Sequence, residues 1–271
     1  MNPPPDEFPL KGHILQLYIL SIIIAILMLA AAVAGLQYAS IIYPTEELNR
    51  SFVPNDVVNL FIGLPILLGS MYFAWRGKLI GLLCWPGALF FITYNYLAYV
   101  FAMPLNWAFI VHLTLVMLSV YALIALLAGM DANFIQKRLS GKVPEKFTGG
   151  VLAGLGALFL LRVIGVLVGS ISSGEALAET ELAVNVADFL TTPAWIIGGI
   201  LLWQRKAFGY VAGLGLLFQG SMLFIALIAF LLLQPFITSA PFALADVIII
   251  FVMGLIIFVP FALFLRGASK A

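Results

Sequence analysis

Residues 14–39, ILQLYILSIIIAILMLAAAVAGLQYA, decide the fold class, because the whole stretch carries no charged side chain. A helix needs about 20 consecutive, mostly apolar residues to cross the roughly 30 Å hydrocarbon core of a bilayer, and this run exceeds that length. The rest of the chain repeats the pattern. Of its 271 residues 63% are apolar and 9% charged, where a soluble domain has roughly 45–50% and 25%. A soluble fold is excluded, and so is a separate soluble domain. The three prolines Pro3, Pro4 and Pro5 and two acids ahead of the first run, with its length, argue against a removable signal peptide. Ala30 to Gly35 nevertheless has the small residues of a cleavage site.

Windows of about 19 residues resolve eight spans, at 14–40, 57–75, 79–102, 106–129, 148–170, 183–203, 208–233 and 243–265. The expected architecture is an all-α integral membrane protein with eight transmembrane helices. Of the thirteen Lys and Arg residues, Lys11, Arg76, Lys78, Lys137, Arg138, Lys142, Lys146, Arg205, Lys206, Arg266 and Lys270 fall on one side of it. Arg50 alone lies on the other side, and Arg162 alone within a span. Loops rich in Lys and Arg stay in the cytoplasm, so both termini are read as cytoplasmic and the membrane as the cytoplasmic (plasma) membrane. Glu46, Glu47, Asp56, Glu175, Glu179, Glu181, Asp188 and Asp246 gather at the outer face, and Trp75, Trp203 and Trp107 take interfacial positions. A net charge of +1 argues against nucleic acid as a partner, and the single cysteine, Cys84, against a disulfide framework or a Cys-rich metal site.

A shift of about 128 residues lines up the two halves. Asp56-Val57-Val58-Asn59 meets Asn185-Val186-Ala187-Asp188, Pro65 meets Pro193, Trp75 meets Trp203, Gly81 meets Gly209 and Gly87 meets Gly215. Arg76 and Lys78 answer Arg205 and Lys206. Four spans per unit give both units the same orientation, which makes them parallel repeats. The organisation expected is an N-terminal cytoplasmic tail (1–13), a first four-helix repeat (14–130), a basic cytoplasmic linker (131–147) too short to fold alone, a second repeat (148–265) and a C-terminal tail (266–271).

Few polar residues lie inside the spans, and these carry the candidate chemistry. Arg162 sits in LFLLRVI, where a lone charge is costly, so it is not expected to face lipid. Asp188 is its expected partner, as a solute or coupling site or as a structural ion pair. Glu181, Asn185, Asp188 and Thr192 share one helix face and form a polar stripe leading inward. Asp56 and Asn59 are their counterparts in the first half. Asp56, Asn106 and Asp246 also stand where helices entering from outside are capped. In the third span Pro86 should free a carbonyl, while Asn95 and Tyr99 share a face. That face reads as a cavity wall, or as interfacial tyrosines with Asn95 donating between helices. His112 reads as an interhelical hydrogen-bonding group. Gly150, Gly154, Gly165 and Gly169 permit close helix contact, within the chain or between copies.

Two four-helix units resemble the architecture of the haem A synthase family. That family depends on several intramembrane histidines, whereas this chain has only His13 and His112, so no functional residue carries over. No nucleotide loop, HExxH or GxSxG motif, or prenyl diphosphate site occurs, and no metal or cofactor is implied. The leading reading is a transporter or permease for a small solute, with Arg162 suggesting an anion and Asn185, Asp188, Thr192, Asp56, Asn59, Asn95 and Tyr99 as the accompanying site. The alternatives are a membrane enzyme or redox component acting on a lipid or quinone around Tyr94, Asn95, Tyr99 and His112, and a structural or regulatory subunit. Expected partners are the bilayer, a small solute, and a further copy or membrane subunit.

Overall fold

In the computed structural model, which describes Pro9 and residues 14–270, eight helices are long and apolar enough to cross a membrane. The chain is a multi-span helical membrane protein. The spans are α1 (Ile14–Gln37), α3 (Glu46–Val58) continued by a wide π-type turn (Asn59–Gly63) into α4 (Leu64–Trp75), α5 (Leu79–Ala102), α6 (Trp107–Gly129), α8 (Glu145–Ser173), α9 (Glu179–Trp203), α10 (Ala207–Ile237) and α11 (Leu244–Ser269). Two short helices, α2 (Ala39–Ile42) and α7 (Ala132–Leu139), lie in the connections. The tail residues Lys11 and His13 fall outside the described residues.

Several boundaries differ from the sequence expectation, for physical reasons. The second span starts at Glu46 rather than residue 57, because Leu48, Phe52 and Val53 bury one face of an otherwise polar segment and Thr45 caps it, accepting from Leu48 N at 3.2 Å. Asp56 is therefore ten residues inside a continuous helix and is no cap. Pro54 lacks the amide that would bond the Arg50 carbonyl, and Gln234 Nε2 donates to that oxygen at 3.1 Å instead. Asn106 does cap α6, accepting from Phe109 N at 3.1 Å. Asp246 does not cap α11, since Ala243 holds that position. The linker forms α7, capped by Asp131, with Ile135 and Leu139 fully buried, and α8 begins within it at Glu145.

The core sits around α5. Of its central stretch 89% is buried, against 22% for α8 and for α11. Trp85 donates to Ser21 Oγ of α1 at 3.1 Å, Thr93 and Ser119 join α5 to α6 at 2.9 Å, and Trp195 of α9 donates to Gln219 of α10 at 2.7 Å. Such side-chain bonds tie helices where no hydrophobic force distinguishes a neighbour from lipid. The deepest contact is between α5 and α10. A Cβ on Gly87 would overlap the Gly215 carbonyl, and one on Gly215 would stand 3.0 Å from the Leu83 carbonyl.

The α4–α5 and α9–α10 hairpins close alike. Gly77 (φ 71°) and Arg205 (φ 57°) both take the left-handed conformation after the helix, with Lys78 N bonding Phe73 O at 2.9 Å and Lys206 N bonding Leu201 O at 2.8 Å. This is the Schellman cap, which favours glycine at that position. Arg205 is held there by Gln136, which donates to its carbonyl at 2.7 Å. Gly81 then lies against the backbone of Phe73 and Ala74, and Gly209 against that of Leu201 and Leu202.

Candidate functional site

The polar residues inside the bundle gather on two sides of α5. Asp56 lies 19 residues before the Trp75 end of its span, about 29 Å at 1.5 Å per residue. Tyr99, 20 residues from the start of α5, arrives at about the same height of 30 Å. Its phenol donates to Asp56 Oδ1 at 2.8 Å, and Tyr43, from the connection after α2, donates to Oδ2 at 2.6 Å. Burial and the adjacent carboxylate push the Tyr43 phenol well up from its ordinary pKa, which keeps it a donor. Asn55 and Asn59, on the same helix as Asp56, donate to the Tyr99 oxygen at 3.2 and 3.3 Å. Asn55 also reaches Asn95 Oδ1 at 3.4 Å. Asn95 is thus an interhelical acceptor rather than a donor, its own amide being turned back to Phe91 O.

Asp56 is 1% exposed, and among the described residues no lysine or arginine pairs with it. Around it Tyr96 and Tyr99 are core residues, not interfacial ones, and His112 packs tilted against both rings at centroid distances of 5.6 and 4.7 Å. Three atoms of this cluster are buried without a partner: Asn59 Oδ1, Tyr96 Oη and His112 Nδ1. His112 Nδ1 does not make the interhelical bond expected of that side chain. Unpaired buried polar atoms are rare in folded proteins, and three of them lie around this carboxyl, which has hydrogen bonds from two phenols but no cation beside it.

The second side of α5 carries Tyr94, five residues or about 1.4 turns before Tyr99. It donates to Asp188 Oδ1 at 2.9 Å, with Arg162 Nη1 3.4 Å from Oδ2. Asp188 lies 15 residues before Trp203, about 22 Å, level with Tyr94 at 15 residues from Leu79. Arg162 does approach its expected carboxylate, but it is not enclosed: 51% of its side chain is exposed, because α8 packs on α9 along one face only. In the stripe, Asn185 and Thr192 spend their donors on the carbonyls of Glu181 and Asp188 on their own helix, leaving Asn185 Oδ1 buried and unpaired. No protein-family model, curated protein or solved structure matches this chain. The reading of the site therefore rests on its geometry.

Below Tyr94, α5 borders a cavity of about 250 Å³ with apolar walls. Gly87 and Phe90 of α5, Leu123 of α6, Gly198 of α9 and Ala212 of α10 line it. Among the described residues no three histidine, cysteine or carboxylate side chains come together to hold a metal.

The structure unites Asp56, Asn59, Asn95 and Tyr99 in one cluster and Arg162, Asp188, Asn185 and Thr192 along another. Sequence reasoning missed Tyr43, Asn55 and Gly35. Gly35 on α1 gives the carboxylate its room, since a Cβ there would overlap Asp56 Oδ2 and crowd the Tyr43 hydroxyl. Gly35→Ala is therefore expected to push Tyr43 off Asp56 and cost about 1–3 kcal/mol, read as a lowered unfolding midpoint in detergent.

Proposed function

We propose that this protein is a proton-coupled transporter of a small solute, built from two parallel four-span units, with Asp56 as the group that takes up and releases the proton. The observation that carries the reading is the position of α5: one central helix hydrogen-bonds an acid on each side, Tyr99 the buried Asp56 and Tyr94 the partly buried Asp188. Intramembrane carboxyls of this kind are the usual elements of proton relays in transporters. A proton suits Asp56 better than a metal cation, because two phenols already occupy its oxygens. On protonation the acid becomes a donor, and Asn59 Oδ1, one hydrogen bond away through Tyr99, is an acceptor without a partner.

Two further features support the duplicated design. The hairpin caps at Gly77 and Arg205 and the glycine contacts at Gly81 and Gly209 recur at the same 128-residue shift. Gly87 and Gly215, counterparts at that shift, touch each other, as equivalent residues do only on the axis that relates two units. Sites in such proteins lie between the repeats. The cavity beside this crossing suits a solute with an apolar body, whose polar group would reach upward to Tyr94 and Asp188. The bias of cations to one end supports cytoplasmic termini in a plasma membrane.

The test is uptake into proteoliposomes with an imposed pH gradient and an internal pH dye, across a panel of small amines, acids and neutral solutes with apolar bodies. The expected result is accumulation of one solute class accompanied by proton movement. Solute uptake that ignores the pH gradient, or proton-driven uptake undiminished in Tyr99→Phe and Asp56→Asn, overturns the reading.

A further inference from the structure

The outer surface of α8 carries a feature that a lipid-facing helix does not tolerate. Gly149 and Gly156 seat this helix on α9, where a Cβ would stand 2.6 Å from the Gly199 carbonyl and 2.9 Å from Ile196 Cγ1. On the other side Gly150, Gly154, Leu158, Arg162, Gly165 and Gly169 follow one another at spacings of three or four and so share a face. Nothing lies within 4 Å of a Cβ built on any of those four glycines, and Leu158 is exposed. Of the two contacts these glycines permit, within the chain or between copies, the first is not made.

Small residues alone would not identify a partner, but the guanidinium among them does. Arg162 lies 17 residues from the start of α8 and 11 from its end, so its charge stands within the membrane, where half of its side chain is uncovered. A guanidinium has five N–H donors, and the one hydrogen bond among the described residues is the 3.4 Å contact with Asp188. Charges at such depth face protein or water rather than acyl chains.

We propose that this face of α8 is the interface of a homodimer, occupied by a second copy of the chain. Arg162 on this face stands beside Asp188 of the adjoining α9, whose side chain is 14% exposed, so both signs meet at one surface, which makes it complementary to itself. In a two-fold contact each patch meets its own copy in reverse, so Arg162 of each copy reaches Asp188 of the other and four charges close a ring. Two copies inserted in the same direction bring these residues to one depth. The open glycines let the two α8 backbones approach closely enough for the ring to form. The inference is independent of what the protein transports.

The experiment is cysteine cross-linking in native membranes on a Cys84→Ala background, with Leu158→Cys on the proposed interface and Val252→Cys, equally exposed on α11, as the control. The dimer predicts a covalent dimer from Leu158→Cys at least about fivefold above the control. Gly154→Leu and Gly165→Leu meet nothing in the chain itself, so they leave the fold intact and cut that cross-link about fivefold or more. Arg162→Glu, which sets carboxylate against carboxylate, does the same. Equal cross-linking at Leu158 and Val252, or a cross-link that survives Gly154→Leu, Gly165→Leu and Arg162→Glu, overturns the proposal.

Discussion

On the proposed reading, Asp56→Asn protein is expected to insert and fold, yet to lose proton-driven solute accumulation down to the background of empty liposomes. The amide has nearly the shape of the carboxyl but cannot take up or release a proton in the transport cycle. Its structural cost is limited. Tyr43 and Tyr99 each donate to a separate carboxylate oxygen, at 2.6 and 2.8 Å. Asparagine keeps one acceptor, so one phenol loses its partner, at about 1–3 kcal/mol. Asp56→Leu leaves both phenols unpaired and is expected to cost about twice that, enough to lower the yield of folded protein. The two variants therefore separate the roles of the residue: a stability deficit graded from asparagine to leucine, with coupling absent from both. Asp188→Asn provides the contrast. Asp188 shares its charge with Arg162, so removing it leaves an unpaired cation at the surface of α8, and the expected signature is weakened association of copies with proton coupling partly retained. The measurements are uptake with a pH dye and unfolding midpoints in detergent.

The spans were legible because hydropathy is a sum over about 20 residues, and no single contact decides it. Residues 46–56 were not, since their mean hydropathy is that of a loop, and only Leu48, Phe52 and Val53, buried against α1 and the second half of the chain, hold them as helix. That misreading placed Asp56 at a cap. Its partners were out of reach for a related reason: Tyr43 comes from a connection with no periodicity, and Tyr99 from a helix 43 residues away. Asn95 and Tyr99 could be put on one face by spacing, but spacing does not say what the face meets. Arg162 was judged by the cost of exposing a charge to lipid, a correct argument applied to a single chain. The structure leaves it half-exposed, and the cost then falls on whatever covers α8.

Gly87→Val is expected to be the most damaging single substitution outside the polar cluster. Most overlaps in a packed core are taken up by side chains that turn aside and small backbone shifts, at about 1–3 kcal/mol. At Gly87 the obstacle is the Gly215 carbonyl and its flanking backbone, which belongs to α10 and cannot move without the whole helix. Alanine alone would overlap it, and the branched side chain adds two methyl groups that α5, buried on nearly all sides, has no space to receive. The α5–α10 contact is the most extensive of those that join the two halves of the chain, so its loss is expected to appear as protein that inserts but assembles poorly, with a clearly lowered unfolding midpoint. Gly215→Ala should do less harm, its Cβ standing 3.0 Å from the Leu83 carbonyl. Because both glycines serve one crossing, helices parted by the first alanine already make room for the second, so the double variant Gly87→Ala, Gly215→Ala should cost less than the sum of the two; sites in contact are not additive. Gly69 is the control: it lies in α4 with nothing within 4 Å of a Cβ, and Gly69→Ala should leave the midpoint unchanged or raise it, by up to about 1 kcal/mol of helix preference. If Gly87→Val and Gly69→Ala behave alike, the close approach of α5 and α10 is not what joins the halves.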